Sequence, residues 1–306
     1  MGVPTSTNPE QTGKPAVLLQ MDVIFNTTVE VMSFDFGNSN SSIISSTFDQ
    51  DNEIYYFIYI NPQLLNTTTY LSAINVNSKQ FVIEEMLFSE DPVLWGIDLD
   101  SNSNIHYARR NSFKPFYTKY VVDYCVFDID TQTSVQLVGA AALIPGIGSL
   151  VYIEANSTVL ISNHMLGITS IGLGNYITQI PPYGAFGYPG ILWNKVANQG
   201  YLLSVSATGI NEYYIKVLKY IPLSIQFPEI CSVKLPFNWK TFTNSDIGSL
   251  DPINNLITLV FTQARSATQV NPVNALLTIY LDTCEYTWTK FSHGDEYILI
   301  GPEFAY

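Results

Sequence analysis

The chain has 306 residues, enough for one large domain or two ordinary ones, and both aromatic and charged residues stand at 13%, the latter about half the usual share. Lys and Arg total 13 against 26 Asp and Glu, so the net charge of −13 repels nucleic-acid phosphates and anionic membranes and leaves Asn, Ser and Thr to build the polar surface. Cys125, Cys231 and Cys284 are odd in number and widely spaced, which excludes CxxC metal motifs and a fully paired disulfide framework; with no signal-peptide pattern at Met1, they slightly favour a cytoplasmic setting.

In chain order, residues 1–14 read as a loose, disordered leader rich in Pro, Thr and Asn. Its start, Met1-Gly2-Val3-Pro4-Thr5-Ser6, fits a loose myristoylation pattern, but only Lys14 lies near to reinforce a single acyl chain. Val17 to Phe34 (VLLQMDVIFNTTVEVMSF) aligns with Tyr70 to Leu87 (YLSAINVNSKQFVIEEML), the second half of the fullest unit in the chain. That unit opens on the turn Asp51-Asn52, runs through the strand Glu53 to Ile60 (EIYYFIYI), and adds strands from Tyr70 and from Gln80 on either side of Asn77-Ser78-Lys79.

Five places share the unit's opening, a polar turn running into an apolar strand: DQDNEIYYF from Asp49, DSNSNIHYA from Asp100, EANSTVLIS from Glu154, KVANQGYLL from Lys195 and DPINNLITL from Asp251. The first strand residues, Ile54, Ile105, Val159, Tyr201 and Leu256, recur with a period of roughly 50 residues, and each turn is flanked by further short strands. Four strands per unit is the pattern of a propeller blade. The expected fold is therefore all-β: a single β-propeller over residues 15–306, most simply six blades of four antiparallel strands. Seven blades, a two-sheet sandwich and two separate β domains are the alternatives.

Both termini contribute to ring closure. Residues 15–36 supply two outer strands and residues 294–306, with Tyr297 to Gly301 (YILIG), supply an inner strand, so that one composite blade ties the ends together and leaves no free sheet edge. No second strand is visible for that blade. Val135 to Ile153 carries no charge over a length that could span a bilayer, but Pro145 and three glycines interrupt it and the repeat register divides it into two strands, so no span is expected.

Chemistry-bearing motifs are scarce. His106, His164 and His293 do not occupy equivalent repeat positions and are read as surface or strand-end histidines, and no catalytic residue, metal or cofactor is assigned. Asp98 to Asn104 begins like a calcium loop but lacks its glycine and its closing carboxylate, which makes a polar hairpin turn the better reading. The sequons at Asn26, Asn40, Asn66 and Asn156 match what a chain this rich in Asn, Ser and Thr produces by chance.

The loops between the second and third strands of a blade and the connections to the next blade share one face of a propeller. Two unusual segments fall there: the basic stretch from Arg109 and Arg110 through Lys114, and PPYGAFGYPG from Pro181, which carries Tyr183, Phe186 and Tyr188. Paired Arg side chains suit an acidic peptide or phosphate, and exposed rings offer contact area at low entropic cost. The function expected is a non-catalytic module that binds a protein or peptide partner through Arg109, Arg110, Lys114, Tyr183, Phe186 and Tyr188. The alternatives are a hydrolase or lyase centred on the channel and a glycan-binding lectin. The Asn, Ser and Thr turns at the repeat anchors mark the face where a site is least expected.

Overall fold

The computed structural model describes residues 2–3, 16–22, 27–34, 42–60, 68–89, 93–110, 120–142, 149–163, 167–172, 175–179, 190–209, 212–224, 227–235, 248–262, 274–290 and 298–299. Among them 24 strands form six four-stranded antiparallel sheets, arranged as a β-propeller. No helix among these residues is long and apolar enough to cross a membrane, and Val135 to Ile153 contributes to two strands of different sheets.

The composite blade holds β1 (Gly2–Val3), β2 (Ala16–Asp22) and β3 (Thr27–Phe34). The second blade holds β4 (Ser42–Asp49), β5 (Ile54–Ile60), β6 (Thr69–Asn75) and β7 (Gln80–Ser89). In the third are β8 (Val93–Leu99), β9 (Ile105–Arg110), β10 (Tyr120–Asp128) and β11 (Thr133–Ala142). The fourth comprises β12 (Leu150–Ile153), β13 (Thr158–Asn163), β14 (Gly167–Gly172) and β15 (Asn175–Gln179). The fifth comprises β16 (Gly190–Asn194), β17 (Gln199–Gly209), β18 (Glu212–Lys219) and β19 (Glu229–Lys234). β20 (Gly248–Asp251), β21 (Leu256–Thr262), β22 (Asn274–Tyr280) and β23 (Tyr286–Lys290) form the sixth, and β24 (Ile298–Leu299) returns to the composite blade.

Closure differs from expectation in one strand. Gly2 pairs with Val17 on β2 and with Leu299 on β24, so β1 is the second strand that the composite blade lacked. Two backbone-paired residues carry too little pattern to stand out in a leader, but they convert the join between the termini into a continuous ladder. The disordered reading is corrected for Gly2 and Val3; residues 4–15 lie outside the described set. A Gly2 held inside a sheet also sits in a ladder rather than on a free acylated tail.

Each blade is apolar on both faces because it is sandwiched between two neighbours. On β5 the side chains alternate as the pleat requires: Tyr55, Phe57 and Tyr59 pack with Leu18 and Phe34 of the composite blade, while Tyr56 and Ile58 pack with Ile105, Tyr107 and Phe127 of the third. Phe34 stacks on Phe57 at 5.5 Å, and Phe88 meets Tyr107 at 4.6 Å. The same arrangement joins the third to the fourth blade through Tyr124, Tyr152 and Val159, the fourth to the fifth through Leu160, Ile191 and Leu202, and the fifth to the sixth through Leu203, Val217, Ile257 and Leu277.

The innermost strand of every blade is a sheet edge, and its unpaired N–H groups need acceptors. In the third, fourth and fifth blades a side chain from the preceding inner strand or the residue leading into it supplies one. Ser45 Oγ accepts the Ile97 N–H at 3.0 Å, Asp98 Oδ2 accepts the Tyr152 N–H at 2.7 Å, and Ser149 Oγ accepts the Ile191 N–H at 2.7 Å. These short polar side chains explain why Ser and Asp interrupt otherwise apolar inner strands.

The turns are equally systematic. Glu53, Ser103, Ser157, Asn198 and Asn255, all just ahead of a second strand, have left-handed backbone, as expected of hairpins in which a type I turn is followed by one residue at positive φ. Carboxylate or amide side chains cap all of them except the Ser157 turn, which closes through backbone alone: Asp49 Oδ1 accepts the Asn52 N–H at 3.1 Å, Asn194 Oδ1 the Ala197 N–H at 2.8 Å, and Asp251 Oδ1 the N–H groups of Ile253 and Asn254 at 2.9 Å.

Cysteine chemistry departs from expectation. Cys231 on β19 and Cys284, in the turn between β22 and β23, form a disulfide across 53 residues that links the fifth and sixth blades, and Cys125 is buried. The widely spaced cysteines are brought together because adjacent blades place positions about one repeat apart side by side. Disulfides are rare in reducing compartments, so the cysteine argument for a cytoplasmic setting no longer holds.

Candidate functional site

The inner strands β4, β8, β12, β16 and β20 converge on a cavity of about 370 Å³ where they run into their first turns. Its wall is built from the strand interiors, including Thr47, Ile97, Val151, Ile191 and Ser249, and its rim from the turns. Among the described residues the rim carries five carboxylates, Asp49, Asp51, Asp98, Asp100 and Glu154, against the single ammonium of Lys195. This is the face of the Asn, Ser and Thr turns, where sequence reasoning expected least. The reversal is physical: a short turn of small polar residues leaves the funnel mouth open, and the carboxylates that cap such turns are thereby gathered around it.

Hydrogen bonds hold most of these carboxylates in place. Asp49 accepts from the Asn52 side chain at 2.9 Å and from the Ser103 hydroxyl of the next blade at 2.6 Å. Burial pushes its pKa up, but the bonds from Asn52, Ser103 and the turn backbone outweigh burial and hold it below the usual carboxylate range. Asp100 behaves alike: burial works against its charge, and bonds from the Asn104 side chain and backbone, His106 and Asn102 keep its pKa low. The calcium-like stretch is thus a self-contained turn, with Asp100 Oδ1 accepting the N–H groups of Asn102 and Asn104 at 2.9 and 2.8 Å.

Lys195 crosses the mouth from the fifth blade to the third, donating to the Leu99 carbonyl at 2.8 Å and to Asp98 Oδ1 at 3.3 Å. Its side chain stays 56% exposed, so solvent screens the pair and its contribution is below about 1 kcal/mol. Glu154 pairs with the Ser101 hydroxyl of the neighbouring blade. Together these contacts lace the third, fourth and fifth blades at the rim.

Behind Asp100 lies His106, 4% exposed and within β9, so the surface reading of this histidine is corrected. Its Nδ1 is 2.6 Å from the Tyr124 hydroxyl and its Nε2 is 3.3 Å from Asp100 Oδ2, while its ring stacks on Tyr152 of the fourth blade at 3.6 Å and 9°. A neutral ring that donates from Nε2 and accepts at Nδ1 satisfies both neighbours. Burial dominates its titration and lowers its pKa despite the attraction of Asp100 and Asp98. His164 and His293 lie outside the described residues.

Of the sequence-predicted binding residues, the structure describes the side chain of Arg109 alone. Arg109 belongs to β9 rather than to a loop: it faces Asp123 on β10 and Val93 on β8 in the ladder, and pairing keeps the strand extended through Arg110. Its Nε lies 3.9 Å from the buried Asp123 carboxylate, a structural ion pair at the strand end. The Arg110 side chain, Lys114, Tyr183, Phe186 and Tyr188 lie outside the described residues. Among the sequons only Asn156 is described; it is exposed, in a 3₁₀ turn (Glu154–Asn156) on the rim.

No group of three or more His, Cys, Asp or Glu side chains suited to a metal ion occurs among the described residues. The class the geometry defines is a β-propeller with a polar, acid-rimmed funnel. No protein-family model matches the chain, and no curated protein matches it. Among solved structures it is similar to Kuenenia stuttgartiensis hydrazine synthase, with a TM-score of 0.49 and 8% identity over 83% of this chain and 68% of that one. It is also similar to the GH74 xyloglucanase from Xanthomonas campestris, with a TM-score of 0.47 and 9% identity over 80% of this chain and 38% of the enzyme. At these values the likenesses carry no argument about chemistry.

Proposed function

We propose that the protein is a non-catalytic interaction module that holds a protein or peptide partner at the funnel mouth. One observation carries this reading: the rim carboxylates Asp49 and Asp100 are anchored by turn and inter-blade hydrogen bonds that keep them ionised. A general acid at neutral pH needs a raised pKa, whereas a fixed array of permanent charges suits recognition. The disulfide supports an oxidising compartment as the place where the partner is met. The basic and aromatic loops with Arg110, Lys114, Tyr183, Phe186 and Tyr188 are the rival binding surface.

The test is affinity purification from the native source with the wild type, an Asp51→Lys/Glu154→Lys variant and an Arg110→Ala/Lys114→Ala variant. Loss of a recovered partner only in the first variant supports the mouth. Loss only in the second moves the site to the rival surface, and equal recovery by all three removes both.

A further inference from the structure

We infer that the mouth is built to dock a cationic amphipathic segment of a partner protein, its basic residues over the second to fourth blades and its apolar residues over the fifth and sixth. The inference rests on the interaction reading above and adds the chemistry of the partner.

The observation behind it is an asymmetry among turns that are otherwise equivalent. In the second and third blades the first turn is polar throughout, in the fourth its one apolar side chain is the small Ala155, and these turns present Asp51 and Glu154 to solvent. In the fifth and sixth blades the same turn ends in a bare hydrocarbon: Val196 is 78% exposed and Ile253 is 68% exposed. Both follow directly on strands of the funnel wall, and Val196 and Pro252 line the cavity itself. The turn between β18 and β19 lies at the same end of the fifth blade, because strands alternate in direction, and it exposes Leu223 at 74%.

Neither property follows from the turn's own folding needs. The caps that define these hairpins are Asn194 and Asp251, whose bonds to Ala197, Ile253 and Asn254 use backbone N–H groups and leave the tip side chains unconstrained. Leu223 has left-handed backbone, φ 62, where Gly or Asn is the easy choice, so a branched apolar side chain is held there against local preference. Single exposed apolar residues are ordinary, but three large ones on turns at one end of two adjacent blades, with Val196 lining the cavity, mark a contact surface. The charge beside them selects the occupant. An anionic lipid surface is repelled by the rim, whereas a segment that alternates Lys or Arg with Leu or Val meets carboxylates on one arc and hydrocarbon on the other.

The test uses fluorescence anisotropy with three labelled synthetic peptides, alternating Lys/Leu, Lys/Ser and Glu/Leu, against the wild type and the Val196→Asp/Ile253→Asp and Asp51→Lys/Glu154→Lys variants. These positions are exposed, so the variants keep the fold, which circular dichroism confirms. The Lys/Leu peptide is expected to bind, to weaken about tenfold with either variant and to exceed Lys/Ser about tenfold. Equal binding of Lys/Leu and Lys/Ser with no effect of Val196→Asp/Ile253→Asp overturns the inference in favour of charge alone. A concentration-dependent dimer of the wild type that this variant abolishes overturns it in favour of self-association. In the affinity purification, recovery that depends on Asp51 and Glu154 but not on Val196 and Ile253 defeats this inference while sparing the interaction reading. Recovery that depends on neither pair defeats both.

Discussion

The seam between the third and fourth blades and the seam between the fifth and sixth perform the same task with different chemistry. The former is laced by polar groups: Asp98 capping the Tyr152 N–H, His106 stacked on Tyr152, and Ser101 bonded to Glu154. The latter has a larger apolar core, closed by the Cys231–Cys284 disulfide. A polar seam must bring its charges to the rim, where they can also face a ligand. An apolar seam leaves its turns free to expose hydrocarbon. The two halves of the mouth thus inherit their character from how the blades beneath them are joined.

This contrast can be broken most directly at the disulfide. Closing a loop of 53 residues stabilises by about 4 kcal/mol in the chain-entropy picture. Cys231→Ser/Cys284→Ser is therefore expected to lower the unfolding free energy obtained from urea titration by that much relative to the oxidised wild type; an unchanged value would mean the apolar core alone holds the seam. Leu277, fully buried in the same core, should cost about 3 kcal/mol as Leu277→Ala, read from the same titration.

At the polar seam smaller effects are expected. Asp98→Ala strands the buried Tyr152 N–H and should cost about 2 kcal/mol, whereas Asp98→Asn keeps an acceptor and should cost less than about 1 kcal/mol. Equal losses would show that the charge, and not the hydrogen bond, matters.

Titration of this seam should be visible as well. Burial lowers the His106 pKa from its ordinary value of 6.5, so as pH falls below that value the unfolded chain takes up a proton that the folded chain resists. Stability is then full above 6.5 and declines beneath it. Scanning calorimetry from about pH 7 to about pH 5 should show a falling midpoint, with a shallower slope in His106→Gln; parallel slopes would assign the pH response to other groups. Asp49 and Asp100, held low, contribute with the same sign in a more acidic window: their stabilisation is present above 3.8 and is lost as pH drops through their folded values. The smallest effect is expected at Ser157, where left-handed backbone should make Ser157→Gly stabilising by up to about 1 kcal/mol in thermal melts.

Much of the architecture was legible because a blade has a strict order of turn and strand. Ile54, Ile105 and Leu256 begin β5, β9 and β21 as expected from the repeat, and Val159 and Tyr201 fall one and two residues inside β13 and β17. β1 was missed because two residues that bond through backbone alone leave no side-chain period. The mouth was missed for a related reason. Asp98, Asp100 and Glu154 each look like ordinary turn residues, and nothing local records that successive blades bring them to one rim. Arg109 was misread because a basic dipeptide resembles a loop until its cross-strand partner, Asp123, is known.

The sequence by itself determined the repeat, the strand order within a blade and the polar turns that open each unit, since these depend on contacts between residues close along the chain. Tertiary structure alone decided the Cys231–Cys284 bond, the burial of His106 and the juxtaposition of acidic and apolar turn tips. Each depends on which blade faces which, and that is set by curvature of the ring over distances of roughly one repeat, where sequence pattern carries no signal.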